Sequence, residues 1–144
     1  MIVVADTNVV VRIAAKVDNL EQKKAAIKLL DEAHKFVIPI TVFCEYCWVL
    51  RKDLSREQIA ASIRFLLRHK NVVVDTYAVR AGLRMLDAGG DFADGVIQHT
   101  GSRQAGAPSV FASFDRKAVR LLEEQGFSTL VPTVDAAPEN GESA

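Results

Sequence analysis

Five acidic residues stand near the starts of predicted helices that follow predicted strands, where a parallel sheet would gather them at one edge. They are Asp6, Glu45, Asp91, Asp94 and Asp115. Carboxylates within about 6 Å of one another repel and raise one another's pKa, so such a cluster tends to take up a proton or a cation. Oxygen-only ligands suit Mg²⁺ or Mn²⁺ better than zinc. A hard cation held in this way can assist the hydrolysis of phosphodiester bonds.

Each of these residues also has a purely structural interpretation. Asp6 and Asp115 are good helix N-caps, and Glu45 in a first helical turn is favoured by the helix dipole. Asp94 lies three residues after Asp91, a spacing that suits a capping box and also places both side chains on one helix face. The hypothesis of a metal site therefore depends on the joint position of the five residues.

Short apolar runs and helical spacing predict five strands and seven helices. The predicted strands cover residues 2–5, 36–40, 72–74, 109–114 and 127–131. The predicted helices cover residues 8–16 and 20–33, then run from a cap at Thr41 to about 51, from a cap at Ser55 to about 68, from Thr76 to about 89, and over 92–104 and 116–125. This alternation predicts an α/β fold with a central, mostly parallel sheet and helices on both faces. Such sheets bind their ligands at the carboxyl ends of the strands.

The composition indicates one ordinary globular domain. The chain has 144 residues, of which 18 are Lys or Arg and 18 are Asp or Glu, so no overall field attracts nucleic acid or an anionic membrane. Two cysteines cannot make a disulfide scaffold, and no apolar run approaches the roughly 20 residues that span a bilayer. We expect a cytoplasmic protein with a folded domain over residues 1–132 and a flexible polar tail over residues 133–144.

Four short motifs follow one another along the chain. They are Val4-Ala5-Asp6-Thr7-Asn8-Val9, Glu45-Tyr46-Cys47-Trp48-Val49-Leu50-Arg51, Asp91-Phe92-Ala93-Asp94-Gly95-Val96-Ile97 and Ser113-Phe114-Asp115-Arg116. In this order the sequence resembles the PIN-domain ribonucleases, and within them the VapC-type toxins of bacterial toxin–antitoxin pairs. The resemblance covers about residues 2–131. The chain has Ser113 where the family often has Thr, Gly95 where it often has Ala, and Lys117 where it often has an acidic residue.

The resemblance implies a PIN-like fold and endonucleolytic cleavage of RNA, with Mg²⁺ or Mn²⁺ as the cofactor. It places the catalytic quartet on four of the acidic residues, namely Asp6, Glu45, Asp94 and Asp115. Three of these, Asp6, Asp94 and Asp115, would be the metal ligands. In the implied reaction, a water activated by the cation and by a carboxylate such as Asp94 attacks the scissile phosphate.

The resemblance also implies supporting residues and partners. Asp91 would be an auxiliary carboxylate, and Asn8 and Ser113 would be polar groups that orient the catalytic residues. Arg51 and Arg116 are the candidate contacts for the RNA backbone. The implied protein partners are a cognate antitoxin, which inhibits the enzyme, and a second copy of the chain in a homodimer.

Two other function classes stay open at this point. A haloacid dehalogenase-like phosphatase would use Asp6 as its nucleophile, but it needs a second Asp where this chain has Asn8. A non-catalytic PIN-like binding module would capture a partner without chemistry, and the intact acidic quartet argues against it.

Three further features receive structural interpretations. Cys44 and Cys47 form a C-x-x-C pair that we interpret as packing residues, and Trp48 is expected to pack in the core or at a dimer contact. A run of basic residues either binds RNA or, more simply, forms the solvated faces of two helices. It consists of Arg51, Lys52, Arg56, Arg64, Arg68 and Lys70.

Overall fold

The computed structural model of the protein describes residues 1–15 and 18–135, and over these ranges it contains five strands and seven helices. The strands are β1 (Ile2–Val4), β2 (Lys35–Val37), β3 (Val72–Val73), β4 (Phe111–Ala112) and β5 (Thr129–Leu130). The helices are α1 (Thr7–Ala14), α2 (Leu20–Glu32), α3 (Ile40–Leu50), α4 (Arg56–Leu67), α5 (Thr76–Asp87), α6 (Phe92–Ala105) and α7 (Arg116–Glu124). None of these helices is long and apolar enough to cross a membrane.

The predicted order of strands and helices is confirmed, although most strands are shorter than predicted. The predicted end of the first helix at residue 16 lies outside the described residues, as does the tail beyond residue 135.

The strands form two parallel sheets. The larger sheet has the order β1-β2-β3, and its register aligns Val3 with Phe36 and Phe36 with Val72. Strands β4 and β5 make a separate parallel pair, in which Phe111 is opposite Thr129. The α/β class with a central parallel sheet is thus confirmed, and the last two strands do not extend that sheet.

The main core lies on one face of the larger sheet. Phe36 is fully buried on that face and belongs to the same apolar cluster as Val10 of α1 and Phe43 of α3. Successive side chains of a strand point to opposite faces, so Val4 and Val73 lie on the other side. These two side chains are 70% and 41% exposed, so the described helices leave this second face partly open.

Asp6 and Asp115 both cap helices, as their positions suggested. The Oδ1 atom of Asp6 accepts a hydrogen bond from the Val9 amide at 3.2 Å. The Oδ1 atom of Asp115 accepts from the amides of Lys117 and Ala118 at 3.0 and 3.1 Å. These bonds satisfy amides that have no partner within the helix, and they fix the orientation of both carboxylates.

The predicted caps of α3 and α4 have different outcomes. Ser55 caps α4 in a capping box with Gln58, as predicted. Thr41 does not cap α3, because that helix already begins at Ile40 with Pro39 at the N-cap position. The prediction for Thr41 was wrong because its hydroxyl suggested a cap, whereas the helix starts directly after the proline.

Helices α5 and α6 pack closely because glycines lie at their contact. A Cβ atom at Gly95 of α6 would overlap the carbonyl oxygen of Ala81 and lie 2.8 Å from Cγ of Met85. A Cβ atom at Gly82 of α5 would overlap the ring of Phe92, the first residue of α6. Gly95 is therefore needed for the approach of the two helices, and it positions the first turn of α6 against α5.

We expect Gly95→Ala to destabilise the protein even though Ala favours helix formation. The added methyl group must push apart two packed helices, and overpacking of this kind costs about 1–3 kcal/mol. Urea unfolding at neutral pH measures the change in the free energy of unfolding.

Gly101→Ala is the matched control, since Gly101 lies in the same helix and has open space around its Cβ position. That variant should gain about 0.5–1 kcal/mol from helix propensity. Equal effects of the two substitutions would contradict the close packing of α5 on α6.

Candidate metal centre

Three carboxylates meet beside the close contact of α5 with α6. Each of Asp91, Asp94 and Asp115 offers one oxygen, and these atoms all lie within 4.8 Å of one another. Asp91 occupies the N-cap position of α6, Asp94 lies in the first turn of that helix, and Asp115 caps α7. We call these three residues the acidic triad. Two helix starts thus supply all of its members, and a side chain from a third helix supports it.

Arg56 at the start of α4 is this supporting side chain. Its Nε atom donates to the carbonyl oxygen of Gly90 at 2.8 Å, and its terminal nitrogen lies 3.3 Å from the Asp91 carboxylate. The guanidinium therefore holds the backbone just before α6 and one carboxylate of the acidic triad together. The sequence placed Arg56 in a general basic run and gave it no role in orienting Asp91.

The acidic triad is electrostatically strained without a cation. Burial of Asp94 raises the pKa of its carboxyl group, and the nearby charges of Asp91 and Asp115 raise it further. Both causes penalise the ionised form. A divalent cation among these oxygens would reverse the effect of the like charges. Three carboxylate donors are also the ligands that Mg²⁺ and Mn²⁺ prefer, so the residues fit such an ion.

Ser113 lies close to the acidic triad through the backbone. Its Oγ atom accepts a hydrogen bond from the Asp115 amide at 3.0 Å. Together with the cap that Asp115 forms on α7, this bond fixes the turn between β4 and α7. The geometry is compatible with the orienting role expected for Ser113.

Asp6 and Glu45 lie outside the group of carboxylate oxygens that are within 4.8 Å of one another. The Thr7 hydroxyl, next to Asp6, donates to Oε1 of Glu45 at 3.1 Å. Asp6 and Asn8 line a different cavity of about 440 Å³, between α1 and α2. Asp6 follows β1 of the larger sheet, whereas Asp115 follows β4 of the separate pair. Asp6 and Asp115 thus follow strands of different sheets.

A cavity of about 700 Å³ opens beside the acidic triad, and all three of its members line it. Residues of α3, of the segment that joins it to α4 and of the start of α4 also line this cavity, and they include Cys44, Cys47, Trp48, Arg51, Lys52 and Arg56. The cavity is thus lined by cationic groups as well as by a cluster of carboxylates.

The predicted basic run divides into residues with different surroundings. Arg51, Lys52 and Arg56 line the cavity. Arg64 instead forms an ion pair with Asp87 of α5, with 2.6 Å between a guanidinium nitrogen and the Asp87 Oδ2 atom. Arg116, the second predicted RNA contact, is exposed at the start of α7, directly after Asp115.

The two cysteines have the character of packing residues. Cys47 is buried and Cys44 is partly buried, and both are free. Burial raises the pKa of both thiols, and the neighbouring Asp91 charge raises the pKa of Cys47 further. Thiols of this kind stay protonated at neutral pH, so they are poor nucleophiles and poor metal ligands.

We expect Asp94→Asn to make the folded protein more stable at pH 7. The pKa of Asp94 is higher in the folded protein than in the unfolded chain, so the folded protein binds more protons between the two values. Stability therefore falls as pH rises through that interval, and a neutral amide avoids the loss. Thermal unfolding in EDTA should show a higher Tm for the variant at pH 7.

The difference in Tm should vanish below about pH 3, where Asp94 is protonated in both states. Asp87→Asn is the control, because Asp87 is exposed and its carboxylate is paired with Arg64. That substitution should leave Tm unchanged or lower it slightly. A lower Tm for Asp94→Asn than for the parent at pH 7 would be the opposite of what the repulsion requires.

Comparison with known proteins agrees with the fold. The family model described as PIN domain matches residues 3–124, a range that includes all five acidic residues identified from the sequence. No curated protein is significantly similar to the chain. The match extends over most of the chain, from β1 to α7. The chain therefore belongs to the PIN-domain family.

Proposed function

We propose that the protein is a Mg²⁺- or Mn²⁺-dependent endoribonuclease. PIN domains are typically metal-dependent nucleases, and this chain has a cluster of acidic residues that could bind a metal ion. The single observation that carries the proposal is the acidic triad, whose oxygens lie within 4.8 Å of one another at the wall of a cavity. RNA as the substrate, and cleavage within the strand, follow from the resemblance to the PIN-domain ribonucleases.

Asp91, Asp94 and Asp115 would hold the cation. When bound, a divalent ion supplies a Lewis acid that lowers the pKa of water and stabilises charge on phosphoryl oxygens. Asp94 is the carboxylate proposed to accept a proton from the attacking water, since it lies in the first turn of α6 with an oxygen beside those of Asp91 and Asp115. Asp115 is held in place by the helix that it caps.

Asp6 and Glu45 complete the proposed catalytic quartet, with Asp6 as a fourth proposed metal ligand. The hydrogen bond from Thr7 to Glu45 supports a common location, since it ties Glu45 to the residue that follows Asp6. Asn8 and Ser113 are the proposed orienting residues. Ser113 has direct support from its bond to the Asp115 amide.

Arg51 and Arg116 are the proposed contacts to the RNA backbone. Arg51 lines the cavity, and Arg116 follows Asp115 in the chain. A local cationic wall of this kind can bind phosphates although the whole chain has no net charge.

We further propose that the enzyme is the toxin of a toxin–antitoxin pair, that it acts in the cytoplasm and that it forms a homodimer. An acidic cavity is a natural target for an Arg or Lys side chain of an inhibitor, which would occupy the place of the cation. The open face of the larger sheet, with exposed Val4 and Val73, gives apolar surface that a second copy can cover.

Asp94→Asn should abolish metal-dependent RNA cleavage while the protein stays folded. Loss of a group that acts on the reacting atoms lowers the rate by about 100-fold or more. Cleavage of a fluorescently labelled RNA with Mg²⁺ or Mn²⁺, and with EDTA in place of the metal, measures the effect. Circular dichroism checks the fold.

Asp87→Asn is the matched control, because it removes an exposed carboxylate that is paired with Arg64. It should cut RNA as fast as the parent. If Asp94→Asn also cuts at the parental rate, the assignment fails. If the parent leaves RNA intact with both metals, the binding-module alternative gains support, and turnover of a small phosphomonoester with phosphorylation of Asp6 would indicate the phosphatase.

The toxin proposal predicts a small partner that inhibits cleavage. Co-expression of the chain with the product of a neighbouring reading frame should yield a stable complex in which RNA cleavage is lost. Substitution of one basic residue of that partner should restore cleavage, since the acidic triad would no longer be filled. A complex that cuts RNA at the rate of the isolated chain would exclude the antitoxin role of that partner.

A further inference from the structure

Trp48 is an exposed aromatic residue to which the proposed mechanism gives no role. The side chain was expected in the core or at a dimer contact, but it is 63% exposed and lines the cavity beside the acidic triad. The core alternative was therefore wrong for Trp48, although its neighbours Phe43 and Leu50 are buried. An exposed indole inside a cavity indicates a surface for a ligand.

Helical spacing explains why Trp48 faces the cavity. Cys44, Cys47, Trp48 and Arg51 lie at positions i, i+3, i+4 and i+7 of the helical path, so they share one face of α3 and its end. Tyr46 and Leu50 are buried on the opposite face. Because Tyr46 and Leu50 fill the core side of α3, Trp48 faces the cavity.

Arg51 stacks on Trp48. The centre of its guanidinium lies 3.4 Å from the centre of the indole ring, which is the distance of direct stacking. Arg51 therefore covers one face of the indole ring. The two side chains together form a flat, cationic pair at the cavity wall. Side chains of this kind, an aromatic ring with an arginine plane, are the ones on which proteins stack unpaired nucleobases.

We propose that Trp48 and Arg51 form a stacking platform for one unpaired nucleobase of the RNA substrate. This inference rests on the proposed function and names its substrate class: RNA that is single-stranded where it enters the cavity. A base in a duplex has both faces covered by its neighbours, so it cannot stack on the indole. Stacking is tolerant of base identity, so the platform selects for unpaired structure more than for sequence.

The charges around the platform suit a nucleotide. Lys52 lines the same cavity and follows Arg51 in the chain, so a phosphate next to a stacked base can meet a cation there. Arg56 is already engaged with Gly90 and Asp91. Arg51 and Lys52 are therefore the cationic groups near Trp48 that a nucleotide phosphate can meet, and the acidic triad is left for the cation and the scissile phosphate.

A second exposed aromatic–arginine pair serves as a matched control. Tyr77 on α5 is 66% exposed, and the guanidinium of Arg80 lies 6.0 Å from its ring centre. The two pairs have the same spacing of three residues along a helix. Tyr77 lies outside the lining of the cavity beside the acidic triad. Its substitution therefore shows the effect on binding of losing an exposed aromatic side chain elsewhere on the surface.

The experiment uses the full chain and a fluorescein-labelled single-stranded oligouridylate, in EDTA so that no cleavage occurs. Anisotropy gives the Kd of the parent and of the Trp48→Leu, Trp48→Phe and Tyr77→Leu variants. We expect Trp48→Leu to weaken binding by about 5- to 100-fold and Trp48→Phe to weaken it much less, because a smaller ring still stacks. Tyr77→Leu should bind like the parent. All variants keep the acidic triad, so its repulsion of phosphate cancels in the comparison.

Two further readouts separate stacking from charge. Trp48 is the single tryptophan of the chain, so its fluorescence should be quenched directly when the oligouridylate binds. The same strand annealed to oligoadenylate should bind more weakly, and Trp48→Leu should leave that weaker affinity unchanged.

The outcomes distinguish this proposal from the proposed function. If the parent cuts RNA with metal but Trp48→Leu binds the single strand as tightly as the parent, the platform is wrong and the nuclease stands. If the parent binds the strand with quenching of Trp48 but never cuts it, the platform stands and the nuclease is wrong. A parent that neither binds nor cuts single-stranded RNA overturns both.

Discussion

Mutual repulsion among the acidic triad is the constraint on which the arrangement of this protein depends. Three carboxylates offer oxygens that lie within 4.8 Å of one another, and burial together with the charges of Asp91 and Asp115 raises the pKa of Asp94. Side chains free to move would separate. Because the three carboxylates do not attract one another, other contacts in the fold must hold them in place.

Three sets of contacts do this. The glycines between α5 and α6 let the helices approach until the first turn of α6 is fixed against α5. Arg56 ties the Gly90 carbonyl and the Asp91 carboxylate to the start of α4. The cap on α7 and the bond to Ser113 fix Asp115 from the other side. The helix starts thus hold the three carboxylates together at the wall of the cavity.

The part of this arrangement that local sequence patterns encode could be predicted. Asp91 and Asp94 share a helix face because of their spacing, and Asp115 follows a short apolar strand directly. These signals are local, and so are the caps at Ser55 and Asp115. The α/β class followed from the alternation of strands and helices.

Features set by contacts between distant segments could not be predicted in this way. The separation of β4 and β5 from the larger sheet depends on strand pairing between residues far apart in sequence. Glycine is a poor helix former, and the need for Gly95 in α6 depends on Ala81 in another helix. The exposure of Trp48 depends on which face of an apolar helix the core takes, because α3 is apolar on several sides.

The charges around the cavity have a consequence for the proposed nuclease. Arg51 and Lys52 would attract the phosphates of RNA, whereas the acidic triad would repel them. A divalent cation at the triad would remove the repulsion, so the cation and the RNA would each strengthen the binding of the other by the same factor. Without the cation, a strand would be held only by its backbone and by the proposed stacked base. The carboxylates proposed for cleavage would therefore also keep a scissile phosphate away from Asp94 and Asp115 until the cation is present.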